Sequence, residues 1–163
     1  MTQDTNPRFE GLSVEWVDAM REFCDVYFAD KTVIELPIGG ELAFPPITFM
    51  GSFEYKGCPA HLSRGDVQGS TGYSIRLKDG NVVEVLDHPI YDEAERDAHL
   101  IMDYEVFAPT LRYTFEEDFA FAANVDQMLA EGKLAYTPSA EVWAPFTPWI
   151  VGLRLGFLPN YTA

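Results

Sequence analysis

Cysteine is scarce in this chain, which holds only Cys24 and Cys58 among its 163 residues. Two thiols without Cys-x-x-Cys spacing exclude a disulfide scaffold and the common zinc and redox motifs. Basic side chains are few as well: 11 Lys and Arg face 26 Asp and Glu, a formal net charge of -15. Phosphate backbones and anionic bilayers repel such a chain, so nucleic acid is not an expected partner. Solubility and a salt-rich cytoplasm both account for the acidity, and composition does not separate them. The three histidines, His61, His88 and His99, stand far apart, none in a two-histidine helical spacing and none beside a glycine-flanked serine. That argues against a metal ion or a nucleophilic triad, and no glycine-rich phosphate loop is present, so no cofactor is expected. The one extended apolar stretch, residues 140–157, is interrupted by Glu141, Pro145, Pro148 and Arg154. A bilayer crossing needs ~20 mostly apolar residues, so stable membrane insertion is not expected. No basic segment leading into an apolar run opens the chain, and the expected location is the cytoplasm.

Aromatic residues, by contrast, are abundant, with 12 Phe, 8 Tyr and 3 Trp. Large flat rings suit either a thick core or the lining of an apolar pocket. The length, with 47% hydrophobic residues, suits one compact domain over residues 1–163. Residues 1–11 are polar and read as flexible. Ser13 is placed to cap a helix over residues 13–29, with Glu15 in the first turn and an apolar stripe through Trp16, Met20, Phe23 and Tyr27. A short strand over 31–36 precedes a loop rich in Gly and Pro. Ile47, Phe49, Phe53 and Tyr55 then alternate with polar residues, predicting a strand with one buried face. After a loop over 58–71, strands 73–78 and 82–86 flank Asp79-Gly80, the strongest short hairpin signal. Residues 92–97, almost all charged, read as a solvated link. A strand over 98–102 follows, with His99 opposite Leu100 and facing solvent, and Asp103 caps a short helix that Pro109 stops. Thr114 with Glu117, and Asn124 with Gln127, stand in capping-box spacing, so this region is either one long helix or two that break at Asn124. Gly132 stops it, a strand covers 133–136, and Pro138-Ser139 leads into a tail helix.

Strand, tight turn, strand, acidic link, a strand from Asp97 through Met102 into Tyr104-Glu105-Val106-Phe107, and then Gly132-Lys133-Leu134: in this order the chain resembles the sterol carrier protein type 2 family over about residues 47–157. The leading helix, with Glu15-Trp16, is similar to the one that opens longer prokaryotic members. The resemblance implies an α/β fold of the α+β kind, a single mainly antiparallel or mixed sheet of about five strands layered by helices. It also implies an apolar cavity between the sheet and the C-terminal helices that takes sterols, fatty acids or coenzyme A esters without chemistry. A partner enzyme or a second copy of the chain fits that picture. The chain departs from the family where Ala135-Tyr136-Thr137-Pro138-Ser139 replaces a short basic strand closing on Gly-Asp, and in a longer stretch between Tyr104 and Glu131. Both departures fall around the implied pocket.

The candidate ligand-binding residues are Phe107, Phe115, Phe119, Phe121, Met128 and Leu129 from the helical stretch, and Trp143, Phe146, Trp149 and Ile150 from the tail. The sheet is expected to contribute Tyr73, Ile75, Val83 and Val85. Ordinary helix-on-sheet packing also accounts for each ring taken alone. Pro145 and Pro148 interrupt regular hydrogen bonding beside the large rings, which predicts that residues 143–149 gate the cavity. The alternative function is a small isomerase, cyclase or hydratase acting on a polycyclic or acyl substrate in the same cavity, with Asp103 and Tyr104 as the proton-transfer pair and Asp118 and Tyr113 nearby. An accessory subunit of a lipid- or steroid-metabolising enzyme is a further alternative.

Overall fold

The computed structural model describes residues 7–163. The first helix, α1 (Val14–Tyr27), starts where its cap requires: the Ser13 hydroxyl accepts the Trp16 amide at 3.2 Å, satisfying one of the free N–H groups of the first turn. Its inward stripe buries Trp16, Val17, Met20 and Cys24. Trp16 Nε1 donates to Thr162 Oγ1 at 2.9 Å, which ties the helix to the C-terminal end. The expectation of a flexible start falls partly on residues 1–6, outside the described residues. In the remainder, Phe9 pairs with the C-terminal end of the chain, its amide donating to Tyr161 O at 2.9 Å.

Strands β1 (Val33–Glu35) and β2 (Glu41–Ala43) form a small antiparallel hairpin apart from the main sheet. The sequence shows β1 but hides β2, three residues within a Gly- and Pro-rich loop. The main sheet comprises β3 (Phe49–Lys56), β4 (Ser70–Lys78), β5 (Asn81–Leu86), β6 (Ala98–Asp103) and β7 (Leu134–Thr137) in the order β5-β4-β3-β6-β7. All neighbours are antiparallel except β3 and β6, which run parallel. It is the mixed five-stranded sheet of an α+β fold. Asp79 and Gly80 both take positive φ, 51° and 82°, the turn whose twist matches flanking strands. At Gly72 the strands approach closely, and a Cβ there would lie 1.9 Å from the Phe53 carbonyl oxygen.

β3 is buried on both faces, not on one. Its front face meets the helices. Its back face is covered by residues 57–69 and 87–97, which Arg64 fastens to the sheet by donating to Asp87 O and Gly72 O. Under this cover lies a closed polar core. The Ile90 amide donates to Ser52 Oγ (2.8 Å), Ser52 Oγ lies 2.8 Å from His99 Nδ1, His99 Nε2 lies 3.0 Å from Glu54 Oε1, and the Ser70 hydroxyl donates to Glu54 Oε2 (2.8 Å). His99 does point away from Leu100, but it is 2% exposed and does not face solvent. The covering loops carried no periodicity that could have announced this.

After β6 the chain makes α2 (Tyr104–Phe107) and runs on through a 3-10 turn, Ala108–Arg112. Pro109 does not stop it, because a proline in the first turn of a helical segment forfeits no hydrogen bond. Asp103 occupies the capping position without a side-chain bond to the helix, and its carboxylate sits 3.9 Å from Lys56 Nζ. Helix α3 (Phe115–Ala122) opens on a complete Thr114–Glu117 capping box, and a separate α4 (Val125–Ala130) follows, so the stretch breaks at Asn124. The tail is α5 (Ala140–Trp143), a 3-10 turn at Ala144–Phe146, α6 (Thr147–Gly156) and α7 (Leu158–Tyr161). Pro145, Pro148 and Pro159 each stand in the first turn of a segment. One apolar cluster runs from Leu12 to Leu158 and joins α1, the front of the sheet and the tail.

None of the residues of α3 is buried, so its cap carries an unusual share of its stability. Thr114→Ala should cost that helix about 1 kcal/mol. Amide exchange over residues 115–122 should then quicken several-fold while exchange in β3 and β4 stays unchanged; equal protection in both proteins would refute it.

Candidate functional site

Alternation along the strands puts Phe53 and Tyr55 of β3, Tyr73 of β4, Leu100 and Met102 of β6, and Leu134 and Tyr136 of β7 on one face. The register sets them side by side: Phe53 opposite Tyr73 and Leu100, Tyr55 opposite Met102, Met102 opposite Leu134, Leu100 opposite Tyr136. These residues form the floor of a cavity of about 540 Å³. One wall is Asp118, Phe121, Ala122, Val125 and Met128, the spacing of a single helical face carried across α3 and α4. The other wall includes Trp143 of α5 and Thr147, Ile150 and Arg154 of α6. Ala122, Ala140, Ala144 and Thr147 line the cavity yet are exposed, so they border its opening. The volume lies within the range of about 300–1,000 Å³ typical of small-molecule sites.

Of the residues singled out from sequence, Phe107, Phe121, Met128, Trp143 and Ile150 line the cavity, as does Tyr73. Phe115 and Phe119 do not; they stack on each other on the outer side of α3, with Phe119 59% exposed. Leu129 also points outward. Phe146 and Trp149 lie behind the wall, stacked on one another and packed against Phe49 and Phe44. Both are fully buried in the core, which removes the basis for a gate built on Trp149. Ile75 and Val85 are core residues, and Val83 faces solvent. Asp103 pairs with Lys56, and Tyr104 lies near Glu10 and Cys58; neither lines the cavity. Tyr55, Leu100, Met102 and Tyr136 were legible as alternating strand residues. Arg154 was visible only as one of two charges, with Glu141, in an apolar tail.

Polar groups gather at one end. Arg154 is 6% exposed and lines the cavity. Its Nη1 donates to the carbonyl oxygens of Thr110 and Tyr113, its Nη2 lies 3.1 Å from Asp118 Oδ1, and its Nε has no partner among the described residues. Burial lowers the Arg154 pKa, opposed by the Asp118 charge, and burial raises that of Asp118, opposed by Arg154. The Tyr55 and Tyr73 hydroxyls lie 3.5 Å apart in the floor. Burial holds both phenols protonated, with Tyr73 pushed up to about 12 and Tyr55 well above its ordinary value.

A second, more open concavity of about 670 Å³ runs along the outside of α1 between Phe9, Phe23, Tyr27 and Tyr161. Glu15, Asp18 and Glu22 line it, which makes it a poor receptacle for an uncharged apolar molecule. Among the described residues no three His, Cys, Asp or Glu side chains are grouped to hold a metal ion, and no helix is long and apolar enough to cross a membrane. Burial, with the Asp25 charge adding to it, pushes the Cys24 thiol up to about 12, which leaves it inert at neutral pH. No family model matches the chain, and no curated protein or solved structure does either.

Proposed function

We propose that this protein binds and carries an apolar molecule, sterol-like or fatty-acyl, in the cavity between its sheet and C-terminal helices, without chemistry. The observation that carries the reading is the cavity itself. A chain with 23 aromatic residues (12 Phe, 8 Tyr, 3 Trp) had the side-chain volume to close this space, yet a pocket floored by Phe53, Leu100, Met102 and Leu134 stays open at a border of small residues. An apolar guest removes that surface from water at roughly 25 cal/mol per Å². The resemblance to the sterol carrier protein type 2 family points the same way, and a mixed sheet under helices is the setting it implies. A net charge of -15 favours delivery by a diffusing carrier or by contact with a partner enzyme over docking on an anionic bilayer.

One observation favours the second reading, an isomerase, cyclase or hydratase: the protonated phenol pair and the Asp118 carboxylate share one apolar cavity. Such an enzyme would use Asp118, Tyr55 and Tyr73, since Asp103 and Tyr104 do not line the cavity. Organic extraction of the purified protein followed by mass spectrometry tests the primary reading. A long-chain or polycyclic molecule in near-stoichiometric amount, unaltered after prolonged incubation, is the expected result. Conversion of the extracted molecule by the protein, lost in Tyr73→Phe, would favour the enzyme.

A further inference from the structure

A cavity meant only for hydrocarbon has no use for a guanidinium. Burying a charge is costly even after relaxation, and a methionine at position 154 would serve an apolar wall better. Arg154 nevertheless stands in α6, TPWIVGLRLG, whose other nine residues carry no charge. Its bonding is also incomplete. Arginine takes a carboxylate most strongly along an edge made of two parallel N–H donors. Asp118 occupies Nη2 alone, and the adjacent Nε–H has no acceptor among the described residues. Asp118 in turn belongs to α3, which buries none of its own residues, so this ion pair is one of the few bonds that hold α3 over the cavity. The Tyr55 and Tyr73 hydroxyls nearby stay protonated, because burial outweighs the opposing pull of the Arg154 charge. This end of the cavity therefore offers donors, and its one carboxylate is already engaged.

We propose that Arg154 receives the carboxylate end of the apolar ligand in exchange for Asp118, so that loading loosens α3 from the rim. The proposal rests on the reading of the cavity as a ligand carrier's site. A carboxylate accepts hydrogen bonds without offering one, which matches a donor-lined end. It can span Nε and Nη2 together, which Asp118 does not. An alcohol or an ester of the same chain gains the hydrocarbon burial but not the charged pair.

The test is displacement of the uncharged dye Nile red from the full chain by dodecanoic acid and by dodecan-1-ol. In the wild type the acid should compete about tenfold better than the alcohol, the size of one charge-assisted pair. Asp118→Asn removes the internal competitor's charge and should widen the acid-to-alcohol ratio several-fold, with faster amide exchange over residues 115–122. Arg154→Met should bring the ratio close to one. Equal competition by acid and alcohol in the wild type would overturn the head-group assignment while leaving carriage standing. Failure of both to displace the dye would overturn the carrier reading and this inference with it. An acid preference that Asp118→Asn leaves unchanged or narrows would show a simple α3-to-α6 staple and overturn the exchange. Should Arg154→Met not fold, the wild-type ratio and the Asp118→Asn ratio still decide.

Discussion

Glu54→Ala is expected to lower the unfolding free energy by about 3–5 kcal/mol, the usual cost of removing one partner from a buried charged network. Glu54 accepts from His99 Nε2 at 3.0 Å and from the Ser70 hydroxyl at 2.8 Å, beneath the loops that close the back of the sheet. Alanine leaves both donors without an acceptor where water does not reach. Glu54→Gln keeps an acceptor oxygen and should cost less, about 1–2 kcal/mol. The difference depends on pH with a definite sign. Burial pushes the Glu54 carboxyl up, but the hydrogen bonds from His99 and Ser70, with the His99 and Lys56 charges, outweigh it and hold the group below its ordinary value of 4.5. A carboxyl depressed in the folded state contributes its stabilisation fully above the unfolded-state value and loses it as pH falls through the folded-state one. Urea unfolding should therefore show the wild type's advantage over Glu54→Gln steady near neutral pH and shrinking below pH 4.5. A Glu54→Ala variant within about 1 kcal/mol of wild type would show that water reaches the network.

Leu100→Trp should abolish uptake of apolar molecules while leaving the fold in place. Leu100 points from β6 into the middle of the cavity floor, between Phe53 of β3 and Tyr136 of β7. Overfilling a packed core costs about 1–3 kcal/mol, but here the indole extends into open space and the penalty should fall below that range. The guest then has no room for its hydrocarbon. Nile red affinity is expected to drop by about 100-fold, equivalent to about 2.7 kcal/mol, with a melting temperature close to that of the wild type. Undiminished affinity in a folded Leu100→Trp protein would place the dye elsewhere.

Features written in local backbone chemistry were legible in the sequence. Asp79-Gly80 fixed a hairpin, Thr114 with Glu117 fixed a helix start, and alternation fixed the strands together with the face that carries Phe53 and Tyr73. Pairing between distant segments was not, which is why the parallel β3–β6 contact and the two-sided burial of β3 emerge only from the fold. The candidate site shows a subtler reason. Sequence reasoning placed the largest rings in the cavity wall, but a cavity persists where side-chain volume is missing. Phe146 and Trp149 therefore fill the core behind it, and the opening is bordered by Ala122, Ala140, Ala144 and Thr147, which attract no notice in a sequence. Helical phase adds to this, since Thr147, Ile150 and Arg154 share one face of α6 while Trp149 lies on another. In α3 the cavity side belongs to Asp118 and Ala122, and Phe115 and Phe119 turn outward. Asp103 stays out of the cavity for a reason of geometry: the odd positions of β6 carry their side chains to the back of the sheet, and Asp103 ends on Lys56, while Tyr104 begins α2 and does not line the cavity either.

The central claim is that the space between sheet and tail helices, and not the acidic groove along α1, receives the apolar ligand. Amide chemical-shift mapping during a titration with Nile red tests it most directly. The account predicts saturable, one-to-one shifts concentrated in β6, β7, residues 118–128 and α6, with the amides around Phe9, Phe23 and Tyr161 unmoved. Shifts confined to the α1 groove, or none that saturate, would contradict it.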